Sequence, residues 1–312
     1  VQVVIPEGST QSEEVEISNH TLTDEEQVSR QVVFDDLEPS CNYIVRAYTN
    51  GTYQGKKVFN TADPETFEGV VVNLRDIPEE EAYGTLTSSF YENLVAENPD
   101  QDITIVLAGG QKYEMTGLKL PATNGTIKLI TGLSLRGNAI MEVAGNYDIA
   151  GNVGGFIGEK ISFIDHANAP KTGSNFGGTY LFNLSVSDTQ IGTMKFVNCD
   201  IKYKRGICRI KTGADIDNFI IENCVIDSIG GYGVTNPGDA DILNIKVTNS
   251  TFSHCEKLFV STKPSTKLIN SFHAENCTFA YNMKAGNNYM FDFNKMKFNN
   301  DPTLKNCIFG PG

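Results

Sequence analysis

The chain has 312 residues, 40 % of them hydrophobic, no tryptophan, and a formal net charge of −13. That length has room for two domains with a real core, and no apolar run approaches membrane-spanning length. The charge argues against nucleic acid or an anionic membrane as partner, and a sugar-stacking surface has to use the 12 tyrosines and 18 phenylalanines.

Val1 opens in the middle of a strand-like stretch, VQVVI, with no signal peptide or lipidation motif before it. An upstream part is therefore expected to have been removed. Residues 1–62 read as a separate all-β unit. Within it, residues 31–63 give strand, turn, strand, Gly-containing turn, strand. Leu37, Pro39, Tyr43, Val45, Ala47 and Phe59 fall where a fibronectin type III domain places its last three strands, so the unit resembles a truncated member of that family. The resemblance implies two missing strands, an exposed edge and a spacer or docking role.

Residues 63–84 read as a linker. A helix is expected from Leu86 to Glu97, with Thr85 as N-cap, Phe90, Leu94 and Val95 as its apolar stripe, and Asn98-Pro99 as its stop. Residues 85–312 then carry a solenoid, with the helix covering its open end. The first coils are ITIVLAGGQKYEM (103–115) and TIKLITGLSLRGNAIMEVAG (126–145). GNVGGFIG (151–158) reads as a loop between coils, and apolar stretches follow at 161–165 and 179–187.

The later coils repeat one sentence: FVNCDI, IENCVI, VTNSTF, AENCTF and LKNCIF. Their asparagines, Asn198, Asn223, Asn249, Asn276 and Asn306, are 25, 26, 27 and 30 residues apart. A period in the twenties predicts a β-solenoid, since one coil cannot bury its apolar face alone. Apolar residues flank each asparagine two before and three after, so the chain must bend there to keep both sides inward. Asparagine tolerates the left-handed conformation of such a bend. Stacked copies predict an amide ladder in a buried polar row. Cys199, Cys224, Cys277 and Cys307 follow the asparagines directly, with Ser250 in the third copy. No CxxC pair or Cys/His cluster suggests a metal. Cys199 and Cys224 come near disulfide distance, but seven cysteines is an odd number, and buried thiols are the expected state.

The helix cap, ITIVLAGGQKY, LSLRGNAIMEV and the N-C-x-Φ coils together resemble the pectate-lyase-like right-handed parallel β-helices. They are most similar to those that Bacteroidetes encode among polysaccharide-utilisation genes. About eight coils are expected. The resemblance implies a protein, secreted or held on the outer-membrane surface, that handles plant or host glycans; a monomer is expected. KYKRGICRIK (202–211), IDSIGGYGVTN (226–236) and KLFVSTK (257–263) are its most family-specific stretches.

Counting back from each following asparagine puts Lys211, Asn236, Lys263 and Lys295 at 12, 13, 13 and 11 residues, one outward column, with Arg209 on the same face as Lys211. Such a row suits a chain of uronate carboxylates, although strand-end lysines are often merely solvated. Lys204, Arg205 and Tyr232 join Lys211, Asn236 and Lys295 as candidate substrate-binding residues. In family lyases a basic side chain removes the proton beside the carboxylate and calcium stabilises the enolate; Arg209 and Lys263 are the candidate bases. Asp215/Asp217 and Asp239/Asp241 are the candidate calcium ligands, with turn decoration as the plainer role. The chain lacks the R-x-P-x-x-R stretch of pectate lyases and the acid clusters of polygalacturonases. Asp188 and Asp292 are isolated, and His20, His166, His254 and His273 share no spacing; His254, beside Cys255, reads as structural. Two functions follow: a non-catalytic binder of polysaccharide, uronate-containing if the basic column is used, or a lyase on such glycans. An adhesin or structural solenoid is the third.

Overall fold

The computed structural model describes residues 2–5, 15–34, 37–165, 179–211, 213–261, 267–282, 289–293 and 296–311. It divides into two compact units, Val1–Thr66 and Phe67–Gly312.

The smaller unit holds one four-stranded antiparallel sheet, in the order Val15–Ser18, Gln2–Ile5, Asn42–Thr49, Thr52–Asn60. Asn50 and Gly51 both take positive φ (48° and 77°), so the last hairpin closes on the two-residue turn that matches strand twist. Only two of the three strands expected between 31 and 63 are present there, because residues 31–34 are not strand. A short helix, Asp24–Ser29, precedes them on a Thr23–Glu26 capping box, an element not expected from the sequence.

The larger unit is a parallel β-solenoid of right-handed type with about seven turns, one fewer than the sequence suggested. Each turn contributes to three sheets. Among the described residues the first holds ten strands, from Val70–Asn73 to Thr303–Lys305; the second holds eight, from Lys112–Met115 to Ile308–Phe309; the third holds seven, from Leu118–Leu120 to Phe291–Asp292. Residues 63–84 are more than a linker, since Val70–Asn73 pairs in parallel with Ile103–Leu107 and Glu79–Ala82 is helical. The capping helix runs Ser88–Glu97 with Thr87 as N-cap, two residues later than expected. Phe90, Leu94 and Val95 pack against the core as foreseen, but Tyr91 is the side chain that enters it, its hydroxyl 3.2 Å from that of buried Tyr147. None of the described helices is long and apolar enough to cross a membrane.

Asn198, Asn223, Asn249, Asn276 and Asn306 all sit at φ between 51° and 56°, where the chain turns from the first sheet to the second. The amide ladder forms between rungs, Asn276 Nδ2 donating to Asn249 Oδ1 and Asn306 Nδ2 to Asn276 Oδ1, each at 3.2 Å. All five asparagines are exposed, however, so the ladder runs along the outside of the bend. Left-handed backbone turns the bend residue outward and its successor inward. Hence Cys199, Cys224, Ser250 and Cys277 are the buried column, and they also bond between coils: Cys199 N donates to Cys224 Sγ and Cys224 N to Ser250 Oγ. All seven cysteines are free thiols. Replacing Asn223 by valine is expected to cost about 1–2 kcal/mol, because a β-branched side chain resists positive φ, whereas glycine is tolerated. Chemical denaturation of the two variants measures the difference.

Most of the stretch 151–158, expected as loop, belongs to a strand of the first sheet, Val153–Glu159. Gly158 faces inward beneath two aromatic rings: a Cβ there would meet Phe163 and Phe196 carbons at 3.3 and 3.4 Å. The glycine thus makes room for a Phe156–Phe196–Phe163 stack that a larger residue would push apart.

Candidate functional site

The third sheet carries the outward side chains of interest, and its ladder fixes which of them stand one above another. Leu118–Leu120 pairs with Tyr147–Ile149, Tyr147 pairs with Phe182, Asn183 with Arg209, and Arg209 with Asn236. In each strand the flanking residues point into the core and the middle one points out. The outward column is therefore Lys119, Asp148, Asn183, Arg209, Asn236. Arg209 aligns with Asn236, and Lys211 falls just past the strand end, its backbone N donating to Leu184 O. Counting back from the asparagines had joined Lys211 to Asn236; loops of unequal length between the third and first sheets shift that count by two.

Lys204 is corrected more sharply. It follows Tyr203, which is left-handed (φ 57°), so its side chain turns inward, is fully buried, and donates from Nζ to Ile164 O at 2.8 Å. It sits in the same inward row as Ile229 and cannot serve as an open subsite. Asn236 is only 3 % exposed. Lys263, Lys295 and His166 lie outside the described residues.

Arg205, Arg209 and Tyr232 do come together, with Tyr180 as a fourth member that sequence reading missed. The Tyr180 and Tyr232 rings meet edge to face at 5.5 Å. The Arg205 guanidinium lies 4.3 Å from the Tyr232 centroid and 5.5 Å from that of Tyr180; the Arg209 guanidinium lies 5.5 and 5.9 Å from the same two rings. Backbone bonds hold this corner: Arg205 N to Thr179 O at 2.8 Å and Ile207 N to Gly233 O at 3.0 Å. Gly206 lies under the rings, and a Cβ there would come within 3.1 Å of both tyrosines. Burial pushes the Tyr180 phenol up, and the two neighbouring cations only partly offset it. Among the described residues, neither guanidinium is in an ion pair, and the Arg205 Nε and Asn183 Oδ1 atoms are buried without a hydrogen-bond partner. Two adjacent, partly exposed cations are chemically suited to pair with an anion.

Next to this cluster, toward the capping helix, an open cleft of about 510 Å³ is lined by Glu92, Lys119, Asn146, Asp148, Asn183 and Ser185. Asp148 is held rigidly, its carboxylate accepting from Ser185 N and Ile149 N, both at 2.9 Å, and from the Ser185 hydroxyl.

Three of the four aspartates singled out for calcium do other work. Asp215 Oδ1 accepts from Asp241 N at 2.8 Å, and Asp241 Oδ1 from Leu268 N at 2.7 Å, so each ties its strand entry to the next coil. Asp102 and Asn152 do the same earlier, toward Thr126 N and Gln190 N. The Lys267 ammonium stands 3.5 Å from both Asp215 and Asp241, and their charges raise its pKa. Asp217 accepts from the Gln190 amide at 2.7 Å. A lysine already fills the point between Asp215 and Asp241 where calcium would need several oxygens, so that pair does not fit the ion.

The second bend has its own left-handed row, Tyr203, Ser228, His254 and Tyr281. There Asp227 accepts from the Ser253 and Ser228 hydroxyls at 2.6 and 3.0 Å and meets His254 Nδ1 at 2.7 Å. Burial pushes its carboxyl up, but these partners outweigh burial and hold it below the ordinary value of 3.8. A depressed carboxyl stabilises the fold fully above its unfolded value and loses that contribution as pH falls through the folded one. The stability gap between the native chain and Asp227→Asn is therefore expected to be full above about pH 3.8 and to shrink as pH falls below it, as urea titrations across that range would record.

No family model, no curated protein and no solved structure matches this chain.

Proposed function

We propose that the protein binds an acidic polysaccharide along the outward face of the third sheet, with Arg205 and Arg209 gripping a carboxylate of the chain. The observation that carries this reading is the pair of guanidiniums that meet no carboxylate among the described residues, packed on Tyr180 and Tyr232 beside an open polar cleft. Arginine forks suit carboxylates bidentately, and the tyrosine rings offer apolar surface for sugar C–H faces. Rungs rise about 4.8 Å, so a glycan lying along the axis meets one outward residue after another. In a chain of net charge −13, a local cationic point focuses an anionic ligand. The test is affinity electrophoresis and calorimetry against a panel of uronate glycans and neutral controls: retardation by the acidic members alone supports the reading, and indifference to all of them removes it.

A lyase is the second reading, favoured by the same pair. In that reading Arg205 alone holds the carboxylate, and Arg209 would have to give up its own proton to solvent before its neutral guanidine could take the one beside the carboxylate. New ultraviolet absorbance from an unsaturated uronate would separate this from simple binding. If the whole panel is inert, an adhesin or structural solenoid becomes the better description.

Membership of the pectate-lyase-like group, and a secreted or outer-membrane location, belong to the same proposal. The fibronectin-like reading of the small unit rests on Tyr43, which stacks on Phe59. Its hydroxyl accepts from Glu38 N at 2.7 Å and donates to Glu38 O at 3.3 Å. A tyrosine tied to the backbone a few residues upstream is the corner such sandwiches use.

A further inference from the structure

We propose that the groove selects a predominantly neutral glycan carrying isolated acidic residues, and discriminates against a chain charged at every unit. The inference rests on the groove reading above and concerns the spacing of charge along it. The register of the third sheet makes the outward column Lys119, Asp148, Asn183, Arg209. Read along the axis, the charges run positive, negative, neutral, positive, with Arg205 reinforcing the last point.

Asp148 is the discriminating residue. It stands two rungs from Arg209, about 9.6 Å at the usual strand spacing. Three hydrogen-bond donors fix its carboxylate, and it is 9 % exposed at the edge of the cleft. A pyranose is about as long as one rung is high. A polyuronide with one carboxylate on the arginines would thus bring another near Asp148, two sugars on. Like charges facing each other in a partly desolvated cleft repel strongly. A neutral sugar at the same place instead offers hydroxyl donors, which an ionised carboxylate accepts well. Asn183 lies between them and brings no charge of its own to the cleft.

The test holds sugar and linkage constant and changes only charge density. Homogalacturonan at graded methyl esterification, and alginate against its partial propylene-glycol ester, are titrated calorimetrically into the intact protein. At least a tenfold tighter affinity per free carboxylate is expected for a partial ester than for the fully charged parent, with loss of binding at complete esterification. Asp148→Asn is expected to narrow that gap by improving the fully charged ligand. Equal or tighter binding of the fully charged parents overturns the inference while leaving the groove reading in place. Absence of binding at every degree of esterification overturns both. Because Asp148 also anchors Ser185, the variant can lose stability; the esterification series on the native chain decides the question without it.

Discussion

Replacing Arg205 and Arg209 together by alanine is expected to weaken acidic-glycan binding by a hundredfold or more while leaving the fold intact. A hydrogen bond to a charged group contributes about 1.5–3 kcal/mol, so two lost guanidiniums remove about 3 kcal/mol or more, which is about a hundredfold in affinity. Both side chains are partly exposed and neither is in an ion pair among the described residues, so no buried partner is orphaned in the variant. Calorimetry on an acidic glycan reads the affinity, and circular dichroism checks the fold. Arg209→Lys separates charge from shape: it keeps the cation but loses the planar fork and its seat on the tyrosines, and is expected to restore only part of the loss. Unchanged binding by the double variant would dismiss the site.

The largest effect on stability is expected from Phe196→Ala. This ring is fully buried and meets Phe156, Phe163 and Phe219 at centroid distances of 6.3, 5.9 and 6.3 Å, so it joins neighbouring coils through the core. Truncating a buried phenylalanine costs about 3–5 kcal/mol, through lost burial and the cavity left behind. In a solenoid each coil is stabilised by its neighbours, so a defect in the middle weakens the coupling between the two halves. A lower urea midpoint is expected, with a transition broader than that of the native chain. Leu135→Ala is the control: that side chain is fully exposed, and its loss is expected to change stability by less than about 0.5 kcal/mol.

The first bend was legible because one residue type marks it in five successive coils, and asparagine is among the few side chains at ease with positive φ. The second bend was not. Its left-handed positions carry tyrosine, serine, histidine and tyrosine, a mixture with no pattern to find. That hidden bend explains two readings: Cys255, which had no place in the cysteine column, points into the core behind His254, and Lys204, which looked like a surface cation, points into it behind Tyr203. The plainer role given to the aspartate pairs was the nearer one. Spacing of two puts Asp215 and Asp217 on one face of a strand, but the cation between Asp215 and Asp241 was not legible, because Lys267 lies 52 and 26 residues from them along the chain.

Sequence alone determined that this chain coils, because the repeat is a local pattern of apolar residues around a bend and recurs at a nearly constant period. Which rings meet those cations was decided only in three dimensions. Arg205 and Arg209 share one coil, but Tyr180 and Tyr232 come from the coils before and after it, and loops of unequal length set their register. A pattern in one strand reports which side a residue faces; its neighbours above and below depend on the path of the whole turn between them.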